Sequence, residues 1–134
     1  MAANPKISAA SRNLALNAAY DVLNGGYLVV YSSANAQPAT ADTALGTQAV
    51  LVTFSLNATA FAAASAGVKT ANAIANAVAT GTGTWGWWSL IKSDGTTRVR
   101  DDTAGAGNPL SFANNPASCV AGLTISISSL TISE

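Results

Sequence analysis

The side chains that most often perform enzyme chemistry are sparse in this sequence. None of the 134 residues is a histidine, which removes the commonest general base and metal ligand. A Ser-His-Asp or Cys-His catalytic site therefore cannot be formed from this chain alone. The single cysteine, Cys119, has no cationic neighbour in sequence to activate it. A buried structural thiol is the better interpretation of that residue.

The acidic residues and the glycine-rich segment do not form a recognisable site either. Asp101 and Asp102 are adjacent, so on a strand they face opposite ways, whereas a paired-carboxylate hydrolase needs two acids across a cleft. The same two aspartates could bind calcium together with loop carbonyls, but the spaced aspartates of a calcium loop are missing. The segment 81–84 has glycines but no lysine and fits no phosphate-binding motif. We therefore expect no enzymatic activity, no cofactor and no bound metal.

A cluster of tryptophans is the sharpest feature of the chain. On a strand, Trp85 and Trp87 would share one face and Trp88 would take the other. Three interpretations stay open: core packing in a two-layer sandwich, a hot spot in a protein interface, or the platform of a carbohydrate-binding module. We take the three tryptophans, together with Arg98 and Arg100, as candidate protein-interface residues.

The low charge content points to a protein that is covered by neighbours. Only 9% of the residues are charged and the net charge is zero, whereas an ordinary domain carries about 25%. Such a surface is poor for a free soluble protein but suits a subunit in a large assembly. The alternative is a neutral domain that is soluble through its hydroxyl and amide groups.

The same charges argue against two classes of partner. Arg98 and Arg100 are the densest basic site, but Asp101 and Asp102 follow at once and neutralise it, so nucleic acid is not expected as a partner. A membrane partner is not expected, because the chain has neither a basic amphipathic helix nor a run of 18 apolar residues. It also has no basic and apolar leader typical of a signal peptide.

The N-terminal part of the chain is predicted to be a helix over about residues 8–23. Ser8, or Asn4 with Pro5, can cap its beginning, and the glycines after Asn24 end it. Apolar residues recur at helical spacing: they are Leu14, Ala18 and Val22, broadened by Leu16, Tyr20 and Leu23. The polar face is nearly uncharged, so we expect it to lie against more protein as well.

The rest of the chain, from about residue 27 to 133, is predicted to be short strands. They include 27–31, 48–56 with Val50, Val52 and Phe54 on one face, 83–91 and 97–100, and the last two are joined by an Asp94-Gly95 hairpin turn. The alternation of the last strand slips near Ser128–Ser129, as a β-bulge would make it, or as a strand that crosses from one sheet face to another would. We predict a mainly β, sandwich or barrel fold in a single domain over residues 1–134.

These segments together resemble small virion proteins of tailed bacteriophages, among them the capsid cement (decoration) proteins of podophage-type heads. The resemblance is carried by five stretches. They are the segment 24–31 (NGGYLVVY), a loop with Pro38, Asp42 and Leu45, the segment 51–54 (LVTF), the tryptophan strand running into 90–96 (LIKSDGT), and the alternating Thr/Ser/Ile end.

The resemblance implies a jelly-roll-like β-sandwich, often dimeric, on the outer surface of the capsid of a virion made in the host cytoplasm. It would bridge subunits of the major capsid protein, and no catalytic residues carry over. Two alternatives stay open. One is another virion component, such as a tail or head-fibre part, and the other is a carbohydrate-binding module that uses Trp85, Trp87 and Trp88.

Overall fold

The computed structural model describes residues 6–103, 110–113 and 118–133. Helix α1 (Ala9–Tyr20) continues into a 3₁₀ turn (Asp21–Leu23). The strands are β1 (Tyr27–Ser32), β2 (Val50–Ser55), β3 (Val68–Thr70), β4 (Ala77–Val78), β5 (Trp85–Ile91), β6 (Arg98–Thr103), β7 (Leu110–Phe112), β8 (Thr124–Ile125) and β9 (Ile127–Ser133). The fold is mainly β with one N-terminal helix, as the sequence predicts.

The strands form a sandwich of antiparallel sheets. The main sheet has the order β2-β1-β5-β6, and two smaller sheets, β3-β9-β7 and β4-β8, lie with α1 on the opposite side of the core. Both layers contribute to one apolar cluster, in which the largest fully buried side chains include Trp88, Phe54, Leu16 and Leu130. The face of the main sheet that packs on this cluster is called the inner face below.

The helix begins where the sequence predicts but turns a different face to the core. The Ser8 hydroxyl accepts a hydrogen bond from the Ser11 backbone N–H and caps α1. Leu16, Tyr20 and Leu23 are buried, whereas Leu14 is 71% exposed. The predicted core stripe of Leu14, Ala18 and Val22 is therefore wrong, because all three residues face outward.

Asparagines on the inner side of the helix explain this orientation. The carboxamide oxygens of Asn13, Asn17 and Asn24 accept hydrogen bonds from the backbone N–H groups of Gly67, Ala64 and Ala60, each at 2.9 Å. These bonds satisfy backbone donors that would otherwise lie in an irregular, partly buried segment. The uncharged polar side of the helix therefore lies against its own chain, and the expectation that further protein covers the outer side stays a prediction.

A bulge in β2 changes which of its residues face the core. Val52 and Phe54 are buried on the inner face as predicted, but the register of β2 against β1 shifts between Val30 and Tyr31. The shift places Val50 opposite Tyr31 and turns Leu51 into the core. Val50 is consequently 40% exposed, and its predicted place beside Val52 is wrong.

Two local predictions are confirmed. Asp94 and Gly95 form the turn between β5 and β6: Gly95 has φ +77°, and an Asp94 carboxylate oxygen accepts the backbone N–H groups of Thr96 and Thr97. In the last strand, Ser129 pairs with Ser111 and Ile127 pairs with Phe112. Ser128 is therefore the extra residue of the predicted bulge.

Two strand segments follow the β5–β6 turn. β6 extends to Thr103, and Leu110–Phe112 forms β7, in which Leu110 is buried. Residues 104–109 and 114–117 lie outside the described residues. Cys119 is buried, as predicted, with its Sγ 3.4 Å from the Gly81 carbonyl oxygen. Burial raises the pKa of this thiol.

Candidate functional site

The outer face of the main sheet carries a second apolar cluster. It consists of Val29, Tyr31, Trp87 and Ile91, with Tyr27 packed against it. The Tyr31 and Trp87 rings stack with centroids 4.0 Å apart and an interplanar angle of 9°. Burial raises the pKa of the Tyr31 hydroxyl. The residues of β1 thus contribute to apolar clusters on both faces of the main sheet.

The loop 33–49, called the covering loop below, lies against this outer face and is held there by Arg98. The guanidinium donates to the carbonyl oxygens of Thr43 (2.6 Å) and Thr40 (3.1 Å). It also pairs with both carboxylate oxygens of Asp101, at 3.0 and 2.8 Å, and these two side chains are only 5% and 3% exposed. A two-point pair of this kind fixes geometry as well as charge. The hydrogen bonds to Asp101 raise the pKa of Arg98.

Ser89 is the third polar side chain beneath the covering loop, beside Arg98 and Asp101. Ser89, which is fully buried, donates from its hydroxyl to Asp101 at 2.7 Å. Asp101 therefore faces the outer side of the sheet, while Asp102 pairs with Arg100 at 3.0 Å. The two adjacent carboxylates point opposite ways, as the sequence predicts, and they do not form a catalytic pair.

A groove of about 840 Å³ lies between the covering loop and the β5–β6 turn, and it is called the outer-face groove below. Its floor is the outer face of the sheet, its first wall is the segment 41–45, and its second wall is the segment 93–98. A volume of this size falls in the range of small-molecule and side-chain binding sites, about 300–1,000 Å³. Its lining is mostly apolar, with hydroxyl groups and two aspartates, Asp42 and Asp94.

The three tryptophans serve the interior of the protein. Trp88 is fully buried on the inner face, and its indole N–H donates to the Thr103 carbonyl at 3.2 Å. Trp87 is 2% exposed in the outer cluster. Both residues show the core packing that was one of the three interpretations, and both rings are covered by residues of this chain.

Trp85 does not share a face with Trp87, so this part of the prediction is wrong. The register of β1 against β5 shifts so that Ser32 pairs with Trp85 while Tyr31 pairs with Trp87, which leaves Gly86 as the extra residue. Trp85 turns to the main core and stacks on Phe112 with ring centroids 4.5 Å apart. It is half-buried there.

Both candidate arginines lie on β6, and each bonds to its own chain. Arg98 is buried beneath the covering loop, as described above. Arg100 donates to the Tyr20 hydroxyl at 2.9 Å and pairs with Asp102, which joins β6 to the end of α1. Burial alone would lower the pKa of Arg100, but these hydrogen bonds outweigh it and the pKa is raised.

Within residues 6–103, 110–113 and 118–133, no three histidine, cysteine, aspartate or glutamate side chains come together as metal ligands would. In the same part of the chain, no helix has the length and apolar character that spanning a membrane requires.

Comparisons of the chain with protein-family models, with curated proteins and with solved structures find no match. The groove and the surface of the protein are therefore interpreted from their own chemistry.

Sequence reasoning missed the groove, although one signal for it was present. In β1, Leu28 and Val30 alternate with Tyr27, Val29 and Tyr31, so the strand is apolar on both sides. An antiparallel strand with one solvated face would alternate with polar residues. This pattern indicates that something covers the second face, but it does not say that the covering loop leaves a groove.

Proposed function

We propose that this protein is a structural component of a larger assembly, not an enzyme, and that it acts as a capsid cement or decoration protein. In this role it binds the outside of an assembled phage head and holds neighbouring major capsid protein subunits together. The distribution of charge supports a structural role inside an assembly, whereas the choice of a phage head rests on the sequence resemblance.

Half of the few charged residues of the chain are paired within it. Among the described residues, three ion pairs join Lys69 to Asp21, Arg98 to Asp101 and Arg100 to Asp102, so six of the twelve charged residues lie in them. The surface measures 7082 Å², which leaves roughly 1,200 Å² for each of the other six charges, whereas about a quarter of the residues on a typical soluble surface are charged. Such a surface costs little to desolvate, which favours burial against other proteins.

Large apolar side chains on the surface also support this role. One exposed set lies in and beside α1: Ile7, just before the helix, is 63% exposed, Leu14 within it is 71% exposed, and Val22 in the following 3₁₀ turn is 45% exposed. A second exposed set follows the pairing of β4 with β8, where Val78 is 57% exposed and Leu123 is 46% exposed. Separate exposed apolar side chains of this kind suit a protein that contacts more than one neighbour.

The proposed mechanism is mass action. A ligand that binds only the assembled shell, and not free subunits, stabilises the shell by its binding free energy at each site. Contacts of a standard size, about 800 Å² per partner, would each cover a modest share of the surface. Two or three such contacts, one of them in a homodimer, would cover much of its uncharged area.

The test is the thermal stability of heads assembled with and without this protein. Heads that lack it should assemble but release their DNA at a lower temperature, measured by the fluorescence of a DNA-binding dye during heating. Adding the purified protein back should restore the release temperature. Unchanged release temperatures with and without the protein would refute the stabilising role.

Copy number distinguishes the first alternative, a tail or head-fibre part. A cement protein is present in amounts comparable to the major capsid protein, whereas a tail part is present in few copies, and quantitative gel densitometry of purified particles separates the two. The carbohydrate-binding alternative draws no support from Trp87 and Trp88, which are buried, and the half-buried Trp85 already stacks on Phe112.

A further inference from the structure

The outer-face groove offers an apolar surface that the chain itself leaves partly open. Its floor includes Val29 and Tyr27 of β1, and its margin includes Leu45 of the covering loop and Val50 of β2. Leu45 is 39% exposed and Val50 is 40% exposed. A large aliphatic side chain placed here would be surrounded by apolar groups on the floor and on one wall, which favours its transfer from water.

The charged side chains around the groove sum to a net negative charge. Arg98 is its only cationic lining residue within the described parts of the chain, but that guanidinium is bonded to Asp101 and to two loop carbonyls. Asp42 and Asp94 also line the groove. Hydrogen bonds from the threonines of its turn lower the pKa of Asp94 to about 2, so Asp94 is ionised at neutral pH. A cation at the rim would thus find two carboxylates and one arginine that is already neutralised.

We propose that the outer-face groove receives a segment of the partner coat protein in which a large aliphatic side chain stands next to a lysine or arginine. The aliphatic group contacts Val29, Leu45 and Val50, and the cation lies near Asp42 and Asp94. Complementary charge of this kind selects the partner and orients its approach. The identity of the partner rests on the proposed function, whereas the chemistry of the groove does not.

The first experiment tests the groove chemistry without any partner. Three probes share a six-carbon chain and differ in charge: n-hexylammonium, n-hexanol and hexanoate. Titration of the isotope-labelled protein, followed by NMR of the backbone amides of Leu45, Val50 and Thr53, should give the tightest binding for hexylammonium. We expect about a threefold or larger difference in Kd between hexylammonium and hexanoate, the size expected for one exposed charge interaction.

The Asp42→Asn variant should reduce that preference and leave the binding of n-hexanol unchanged. A matched control, Val78→Thr, changes an exposed apolar residue elsewhere and should bind all three probes as the wild type does. Equal affinity for hexylammonium and hexanoate, tighter binding of hexanoate, or shifts confined to residues outside the groove would each overturn the proposal.

The second experiment tests the partner with heads that lack the protein. Fluorescently labelled Leu45→Ser should bind such heads about tenfold or more weakly than wild type, as expected for the loss of one buried leucine. Asp42→Lys should also bind more weakly than wild type, and the ratio of the two affinities should be larger at low salt than at high salt. Val78→Thr again serves as the control for a general surface effect.

The outcomes separate the two proposals. If the wild-type protein does not bind heads, the proposed function and the coat-protein partner are refuted together, while the probe titration still decides the chemistry of the groove. If the wild-type protein binds and the groove variants bind equally well, the partner proposal is overturned and the proposed function stands.

Discussion

Removing the carboxylate of Asp21 should destabilise this protein far more than removing the amine that it neutralises. The Lys69 ammonium lies 2.7 Å from Asp21 Oδ1 and 2.6 Å from Asn17 Oδ1. The Lys69 side chain is only 1% exposed, whereas that of Asp21 is 54% exposed. The cation therefore depends on its partners for solvation, while the carboxylate remains in contact with water.

The magnitudes follow from what each substitution leaves behind. Asp21→Ala leaves a buried ammonium with one neutral acceptor. Removing one partner of a buried ion pair costs about 3–5 kcal/mol. Because the Asp21 side chain is half-exposed, we expect a smaller loss of about 2–4 kcal/mol. Lys69→Met leaves Asp21 hydrated and leaves Asn17 Oδ1 still accepting the Ala64 N–H. Methionine replaces the apolar stem of the lysine, so this change should cost about 1 kcal/mol or less.

The assay is urea denaturation followed by tryptophan fluorescence, which yields the free energy of unfolding for each variant. Asp21→Asn, which keeps an acceptor oxygen but loses the charge, should fall between the two single changes. The double variant K69M/D21A should recover most of the loss in D21A, because no buried charge remains. If K69M costs as much as D21A, the ion pair itself is a net source of stability and the reasoning is refuted.

Three further predictions concern packing and the β5–β6 turn. Gly86→Ala should cost about 3 kcal/mol or more of unfolding free energy, because a Cβ there would lie 2.6 Å from a backbone nitrogen. The control Gly46→Ala meets open space and should change stability by about 0.5 kcal/mol or less. Equal effects of the two substitutions in urea denaturation would contradict the bulge at Gly86. Leu16→Ala should cost about 2–5 kcal/mol and Leu14→Ala about 0.5 kcal/mol or less. If Leu14→Ala cost more than Leu16→Ala, the orientation of α1 described above would be wrong. Asp94→Asn should lower the melting temperature at neutral pH but not near pH 2. Hydrogen bonds from its turn lower the pKa of Asp94 from 3.8 to about 2. The stability that the carboxylate contributes is therefore complete above about pH 4 and is lost as the pH falls through 2. A difference between wild type and variant that persists unchanged down to pH 2 would contradict this assignment.

The features that sequence reasoning located correctly depend on few neighbouring residues. An Asp-Gly pair between two β-rich runs forms a hairpin turn because glycine accepts a positive φ and aspartate bonds to the following amides. The bulge at Ser128 was visible because the apolar residues change phase there, and a shift of one residue turns every side chain to the other face. Neither inference needs knowledge of distant parts of the chain.

The orientation of α1 could not be predicted by hydrophobic pattern alone. Apolar residues lie on both sides of the helix, and Leu14 fits the helical spacing as well as Leu16 does. The deciding contacts are polar: Asn13 and Asn17 bond to the backbone of the segment 60–67. The pattern rule assumes that the polar side is the solvent side, and this assumption fails where an irregular segment needs its backbone donors satisfied.

The error at the tryptophan strand has a different cause. Strict alternation pairs Trp85 with Trp87, but it holds only while the register with β1 is continuous. The extra residue is Gly86, and the close approach of the Ser32–Ser33 backbone to it depends on how β1 ends. A glycine inside a strand was the local signal, since glycine there often marks a bulge.

The candidate site was only partly visible for the same reason. Arg98 was predicted as a candidate protein-interface residue, but it bonds to its own chain, and its partners Thr40 and Thr43 are 58 and 55 positions away in sequence. The groove exists because the covering loop folds back over β1 and leaves space above Val29. That path is a long-range property, which no pattern in the residues 33–49 encodes.

The Asn24-Gly25 pair at the end of the helix has a consequence for the chemical ageing of the protein. In an Asn-Gly sequence, the glycine nitrogen readily attacks the asparagine side chain, and the amide is then lost as ammonia, one reason that asparagine counts as thermolabile. In the folded chain, the Gly25 N–H donates to the Asn57 carbonyl at 2.8 Å, and Asn24 Oδ1 is held by the Ala60 N–H. The Gly25 N–H must leave its hydrogen bond before the nitrogen can attack, and the bond to Oδ1 restricts rotation of the Asn24 side chain toward it. We therefore expect deamidation at Asn24 to be slower in the folded protein than in the unfolded chain.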